Sequence, residues 1–161
     1  MEICTIGGFE EVGKNMTAVK VGDDVIIFDA GIYLPPLIEL QESESNIKYS
    51  EQMLRRIKAI PDDLVLDKIG WSDKVKAIII GHAHLDHVGG LPYLAHRYPN
   101  AEIIATPFTM EIFESIIRDE GINIGNKRTR IKPNSNYEIK GTNGKLKLEF
   151  IHTTHSVTDL S

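Results

Sequence analysis

The stretch KVKAIIIGHAHLDHVGG, residues 74–90, constrains this chain more than any other. From Ala77 to Ile80 it has no polar position to turn toward water. Such a run predicts a strand buried on both faces, which needs covering layers on either side of a sheet. The character then changes abruptly, with His82, His84, Asp86 and His87 crowded into six positions ahead of Gly89-Gly90. Titratable, metal-binding groups therefore follow the end of a buried strand, where loops on a rigid scaffold carry function.

The flanking sequence fits a layered protein around that strand. MEICTI, MTAVKV and DVIIFDAG predict three short strands, the first two separated by GGFEEVGKN and the last two by a tight turn at Gly22-Asp23. This is an antiparallel start, and VIIF, residues 25–28, is apolar enough for burial on both faces. After a polar stretch over 39–50, Ile47, Met53, Leu54 and Ile57 predict a helix over about 47–58 that Pro61 ends. Leu91, Leu94, Ala95 and Tyr98 share one face of a short helix starting near Pro92. AEIIAT reads as another buried strand. Thr106 offers an N-cap and Pro107 a first helical position, Phe108, Ile112, Phe113, Ile116 and Ile117 form an apolar stripe, and Gly121 closes the helix. KLKLEFIHTTHS alternates, with Leu146, Leu148 and Phe150 on one face, and predicts a last strand running into a polar loop. Strands first, then alternating strands and helices, give an α/β (α+β layered) protein of one domain.

Composition narrows the function classes. No apolar run approaches the roughly 20 residues that cross a bilayer, and the N-terminus lacks the basic and apolar regions of a signal peptide. Cys4 is the only cysteine, so no intramolecular disulfide forms, and a lone thiol fits a reducing compartment. The expectation is a cytoplasmic protein with no membrane partner. The net charge of −5 is uneven: residues 1–70 carry 13 acids against 7 bases, and residues 118–149 carry 8 bases against 4 acids. An acidic total argues against a protein that coats nucleic acid with a basic face. It leaves room for an enzyme that meets a polyanion through divalent ions and a local basic strip. KRTRIK, residues 127–132, is the candidate strip, although four bases solvating a loop is the simpler reading.

In an extended backbone alternate side chains share a face, so His82 and His84 can grip one ion. Asp86 and His87 follow where the chain turns and can reach a second. Imidazole and carboxylate donors suit zinc, and manganese is compatible. A third ligand for the first ion is expected from HTTHS: His155 is the candidate, because His152 reads as part of the strand end. His96 reads as a solvent-facing helix residue. Packing does not explain the cluster, because unpaired imidazoles and carboxylates are costly to bury.

With these residues in view, the sequence resembles the metallo-β-lactamase superfamily. HAHLDH at 82–87 matches its H-x-H-x-D-H signature, FDAG at 28–31 its early strand-end aspartate, and His155 its next single histidine. The opening GGFEEVGKNMTAVK, with IIFDAGIYLP and AIIIGHAHLDHVGGLPYL, narrows the resemblance to the ribonuclease J family, archaeal type, in the β-CASP branch, over residues 1 to about 159. The resemblance implies a four-layer αββα sandwich with two zinc ions at the sheet edges, and RNA as substrate, cut 5′-to-3′ exonucleolytically and in some members endonucleolytically. It implies that His82, His84 and His155 hold one ion and that Asp86 and His87 hold the other. Asp86 would also be the catalytic carboxylate that orients the attacking water. Asp29 would orient the histidine loop; a plain strand-end aspartate is its structural alternative.

The resemblance also implies that residues 1–161 supply the N-terminal portion of that domain, without the bridging aspartate, the β-CASP domain or the C-terminal half. For such a portion the expectations are weakened binding of at least one ion and little nuclease activity of its own. Association into a homo-oligomer through uncovered apolar sheet surface is also expected. Two other functions compete: hydrolysis of a thioester or lactam on the same metal core, and a non-catalytic module that folds with a partner or keeps a structural ion.

Overall fold

The computed structural model describes residues 1–43 and 47–153. Strands β1 (Glu2–Gly7), β2 (Met16–Val21) and β3 (Asp24–Phe28) pair antiparallel in chain order. Gly22-Asp23 makes the two-residue turn between β2 and β3, and Gly22 sits at φ 62°, a left-handed angle that costs glycine little. From β3 onward the pairing is parallel: β4 (Val75–Ile79), β5 (Glu102–Ala105) and β6 (Arg128–Arg130) complete a six-stranded sheet ordered β1-β2-β3-β4-β5-β6. Parallel neighbours need crossover connections. Helices α1 (Pro35–Ser43), α2 (Glu51–Arg56) and α3 (Val65–Lys68) lie between β3 and β4, α4 (Leu85–Val88) and α5 (Leu91–Leu94) between β4 and β5, and α6 (Pro107–Asp119) between β5 and β6.

Each central strand feeds two cores, because successive side chains point to opposite faces. Val25, Ile27, Ile78, Ile80 and Ile103 pack on the helical side with Leu54, Leu66, Leu91, Met110 and Phe113. Ile26, Ala77, Ile79 and Ile104 point the other way, onto an antiparallel hairpin of β7 (Ser135–Gly141) and β8 (Gly144–Phe150). Full burial of each such side chain is worth about 1.5–3 kcal/mol, so apolar runs become strands sandwiched between two layers. Asp24 ties the hairpin to β3: it is buried and accepts the Thr142 N–H at 2.9 Å and the Thr142 hydroxyl at 2.5 Å. Burial opposes its ionisation, but the Thr142 bonds and Lys76 prevail and hold its carboxyl below the usual carboxylate range.

Several local expectations need correction. The polar stretch after Leu34 contains α1, which Pro35-Pro36 open and which buries only Leu37, too little periodicity to read in advance. The second helix is shorter than expected, Glu51–Arg56, and Ser50 caps it by accepting the Met53 N–H. On α6 the Thr106 cap and the positive φ of Gly121 occur as expected, but the buried face is Thr109, Met110, Phe113 and Ile117, while Phe108 is 40% exposed. KRTRIK is not simply a solvated loop: Arg128–Arg130 is the edge strand β6, and Lys127, Arg128 and Arg130 meet acids, while Lys132 is exposed. Arg130 Nη2 lies 2.9 Å from Glu111 and 2.8 Å from Glu114, and Lys127 Nζ lies 3.0 Å from Glu102. β8 ends at Phe150, so His152 stands past the strand, where its N–H donates to Asn134 Oδ1 at 3.0 Å.

The hairpin covers the second face over β4 and β5. Toward β1 that face keeps Ile3, Val21 and Phe28 exposed, at 61%, 41% and 39%.

Candidate metal centre

The histidine loop leaves the end of β4 and is locked by backbone bonds to two other segments. Ala30 N–H donates to the His87 carbonyl at 2.8 Å, Ile32 N–H to Leu85 at 2.9 Å, and Gly90 N–H to Ala30 at 2.8 Å. Asn15 N–H donates to the Asp86 carbonyl at 3.0 Å, and Gly31 N–H to the Asn15 carbonyl at 3.0 Å. This interleaving needs bare backbone: a Cβ on Gly31 would overlap the Asp86 carbonyl, and one on Gly90 would crowd the Gly31 carbonyl. Three glycine-containing stretches of the sequence thus meet at one point, beyond the ends of β2, β3 and β4.

His82 is buried, with Nε2 3.0 Å from His84 Nδ1 and the two rings edge to face. His84 is extended (φ −68°, ψ 143°) and Leu85 begins α4, so the bend falls between His84 and Asp86. The His87 ring centroid lies 4.0 Å from that of His82, and His87 Nε2 faces Asp86 Oδ2 at 3.3 Å. On its other side His87 Nδ1 meets Asp29 Oδ2 at 2.8 Å, and Asp29 Oδ1 accepts the Gly81 N–H at 2.9 Å. Asp29 sits at φ 61°, a left-handed angle that aspartate tolerates better than most residues. Burial works against charge on His87, but the hydrogen bond and charge of Asp29, with Asp86 beside it, outweigh burial and raise the imidazole above its ordinary pKa.

The structure thus brings His82, His84, Asp86, His87 and Asp29 together; His155 lies outside the described residues. His96 is elsewhere, in a 3₁₀ turn (Ala95–Arg97), 3.1 Å from Glu51. Cys4 is also remote, on β1, and burial pushes its thiol pKa up. Sequence reasoning missed Asn15, whose Nδ2 lies 2.9 Å from the Asp86 carbonyl, 3.0 Å from Asp86 Oδ2 and 3.2 Å from His87 Nε2. The signal was there in GKN, two positions past Gly13, but nothing local tied it to a loop seventy-one residues on. A shallow apolar cleft lined by Val12, Leu34, Pro35 and Leu85 opens beside His84 and Asp86.

Donor chemistry tests whether a divalent ion fits. Ligands on bonds of about 2.0–2.2 Å at tetrahedral angles stand roughly 3.3–3.5 Å apart. The His82–His84 pair at 3.0 Å and the Asp86–His87 pair at 3.3 Å come close to that spacing. The residues therefore fit as two donor pairs, although among the described residues no three of His, Cys, Asp and Glu close a cage.

A layered sheet with histidines and carboxylates gathered at a strand-end loop defines the class of fold, and the profile of the Metallo-beta-lactamase superfamily matches residues 10–159. The chain belongs to that superfamily. Ribonuclease J of Methanocaldococcus jannaschii is 38% identical over 160 residues, covering 99% of this chain and 34% of its own length. Ribonuclease J of Pyrococcus abyssi is 39% identical over 163 residues, covering 100% and 34%. Ribonuclease J 1 of Streptococcus pyogenes is 31% identical over 158 residues, covering 98% and 24%. The chain spans about a third of the length of the archaeal relatives. Among solved structures, a metallo-beta-lactamase HARLDQ-motif mutant from Cronobacter sakazakii aligns at TM-score 0.46 and 15% identity, over 80% of this chain and 43% of that one. No helix among the described residues is long and apolar enough to cross a membrane.

Proposed function

We propose that this chain is the N-terminal portion of a metallo-β-lactamase domain in a β-CASP ribonuclease that hydrolyses RNA phosphodiester bonds in the cytoplasm. The observation that carries the reading is the convergence of two donor pairs, His82 with His84 and Asp86 with His87, at one rim of the sheet. His82, His84 and His155 would hold one ion and Asp86 and His87 the other, zinc being the natural match for these donors and manganese compatible. Ions held there would supply Lewis-acid charge and lower the pKa of a bound water.

The chain's own residues do the rest. Asp29, accepting from His87 Nδ1–H, selects the tautomer that leaves Nε2, the nitrogen on the Asp86 side, unprotonated as ligation requires. The Asp86 carboxylate orients the attacking water. The shallow apolar cleft beside His84 and Asp86 offers a surface on which a substrate could rest next to the site. RNA is favoured over a thioester because relatives at 38–39% identity across this chain are ribonucleases J. Segments present in those longer relatives would complete the ligand set. Association between copies through Ile3, Val21 and Phe28 belongs to the same proposal.

The test uses 5′-labelled single-stranded RNA and a thioester in parallel, with Zn²⁺ or Mn²⁺. The chain is assayed alone and with a separately expressed remainder of the protein. The expected result is RNA cleavage restored in trans, abolished by chelator, with mononucleotides marking exonucleolytic and longer products endonucleolytic action. Thioester hydrolysis with the RNA left intact would overturn the proposal, and bound metal without any turnover would point to a non-catalytic module.

A further inference from the structure

We infer that Asn15 is a positioning residue for the second ion, holding the Asp86 carboxylate in place through its side-chain amide; the inference rests on the two-ion reading above. Two acceptors of Asp86 face Asn15 Nδ2, its carbonyl at 2.9 Å and Oδ2 at 3.0 Å, and His87 Nε2, an acceptor when the ring is neutral with its proton on Nδ1, lies 3.2 Å away. Only the NH₂ end of the amide, with two hydrogens for the two Asp86 oxygens, can face them, so its orientation is dictated by the site. The backbone of Asn15 is fixed on both sides, its N–H donating to Asp86 and its carbonyl accepting from Gly31. The amide oxygen lies against Gly8, at φ 85°, where any Cβ would overlap it. The Gly7-Gly8 pair and the GKN segment therefore build a seat for one amide, aimed at the two residues assigned to the second ion.

The lone-pair count decides what the amide does there. His87 Nε2 has a single lone pair when Nδ1 carries the proton, so its contact with Asn15 and a bond to a cation exclude each other. A carboxylate oxygen has more than one acceptor position and keeps the Asn15 bond while ligating. With an ion bound, Asn15 would keep its bond to Asp86 and give up the His87 contact. Partners of this kind commonly set metal affinity by 10–100-fold.

The experiment titrates metal-free full-length protein, with the segments that complete the ligand set, with cobalt(II), followed by its visible absorption against a competing chelator, for wild type, Asn15→Ala, Asn15→Leu and Gly8→Ala. Circular dichroism melting of each metal-free variant confirms that it folds. The expected result is one class of ion bound as in wild type and a second weakened 10–100-fold in Asn15→Ala. Asn15→Leu, which keeps the branched shape and loses the donors, should be equally weak, and Gly8→Ala should follow by dislodging the amide. Wild-type affinity for both ions in Asn15→Leu would overturn the inference alone, since packing would then be the whole role. A wild-type protein that takes up no cobalt at all would overturn the two-ion reading and this inference with it.

Discussion

Asp29 bridges the histidine loop to the end of its own strand: Oδ2 lies 2.8 Å from His87 Nδ1, while Oδ1 takes the Gly81 N–H at 2.9 Å. The pair links a loop geometry to a proton. His87 is raised above its ordinary pKa despite burial, because Asp29 and Asp86 favour the charged ring. A raised native pKa contributes stability that is fully present below the unfolded value of about 6.5 and is lost as pH rises through the native value. Ion uptake runs the opposite way, since a ligating ring must be neutral. Asn tolerates the left-handed φ of position 29, so Asp29→Asn removes the charge with little backbone cost. Melting temperatures of chelator-treated protein between about pH 5 and 9 should fall on the alkaline side in wild type and flatten in Asp29→Asn. An unchanged profile in the variant would mean that Asp29 does not set the His87 proton.

The close approach of two backbones at Gly31 makes a sharper prediction. Any Cβ there meets the Asp86 carbonyl and the His87 nitrogen, both main-chain atoms that cannot swing aside. Gly31→Ala should therefore cost about 3 kcal/mol, the upper end for overpacking, and disturb the site directly. Urea denaturation gives the first quantity. Gly121→Ala is a useful comparison: its φ is positive, at 65°, unlike that of Gly31, and a Cβ there meets nothing within 4 Å, so only the left-handed backbone cost of about 1–2 kcal/mol applies.

Away from the site, Asp63 holds the helical layer together. It is fully buried and receives Arg55 Nη2 at 2.6 Å, Arg97 Nε at 2.8 Å and the Tyr98 hydroxyl at 2.6 Å. Burial is the main reason the Tyr98 hydroxyl is pushed far above its usual pKa, with Asp63 adding to it. Asp63→Ala leaves two largely covered guanidinium groups without their shared carboxylate. Breaking such a pair costs about 3–5 kcal/mol, so the variant should unfold at markedly lower urea, with metal uptake by the folded fraction unchanged.

What could be read from the sequence divides along physical lines. Ala77–Ile80 and VIIF became central strands because a run with no polar position has only one kind of surroundings, and the cap at Thr106 worked because its signal is local. The H-x-H-x-D-H order put four side chains at one rim for the same local reason. β7 escaped notice, although Tyr137 and Ile139 alternate, because its identity depends on pairing with β8 and on the Gly141–Gly144 turn. The ion pairs that neutralise Arg130 and Lys127 came from Glu111, Glu114 and Glu102, carboxylates far apart in sequence that the fold brings to β6. Asn15 was invisible for the same reason, being a long-range partner rather than part of a pattern.

Metal removal separates a built centre from a fortuitous histidine cluster. A ligand bound only by the folded state stabilises it by about 2.7 kcal/mol when present at a hundred times its dissociation constant. Zinc-loaded protein should therefore melt higher than the same protein after chelator treatment, and the gap should close on adding zinc back. His84→Ala removes one donor of the His82 pair, 3.0 Å from its partner nitrogen, so the gap should shrink and zinc per chain should drop. His96→Ala is the matched control: it deletes an imidazole that is 58% exposed and borders Glu51, outside the donor pairs, and the zinc-dependent gap should stay at its wild-type size. Equal zinc content and equal gaps in both variants would show that the ion, if bound, is not held by the loop after β4.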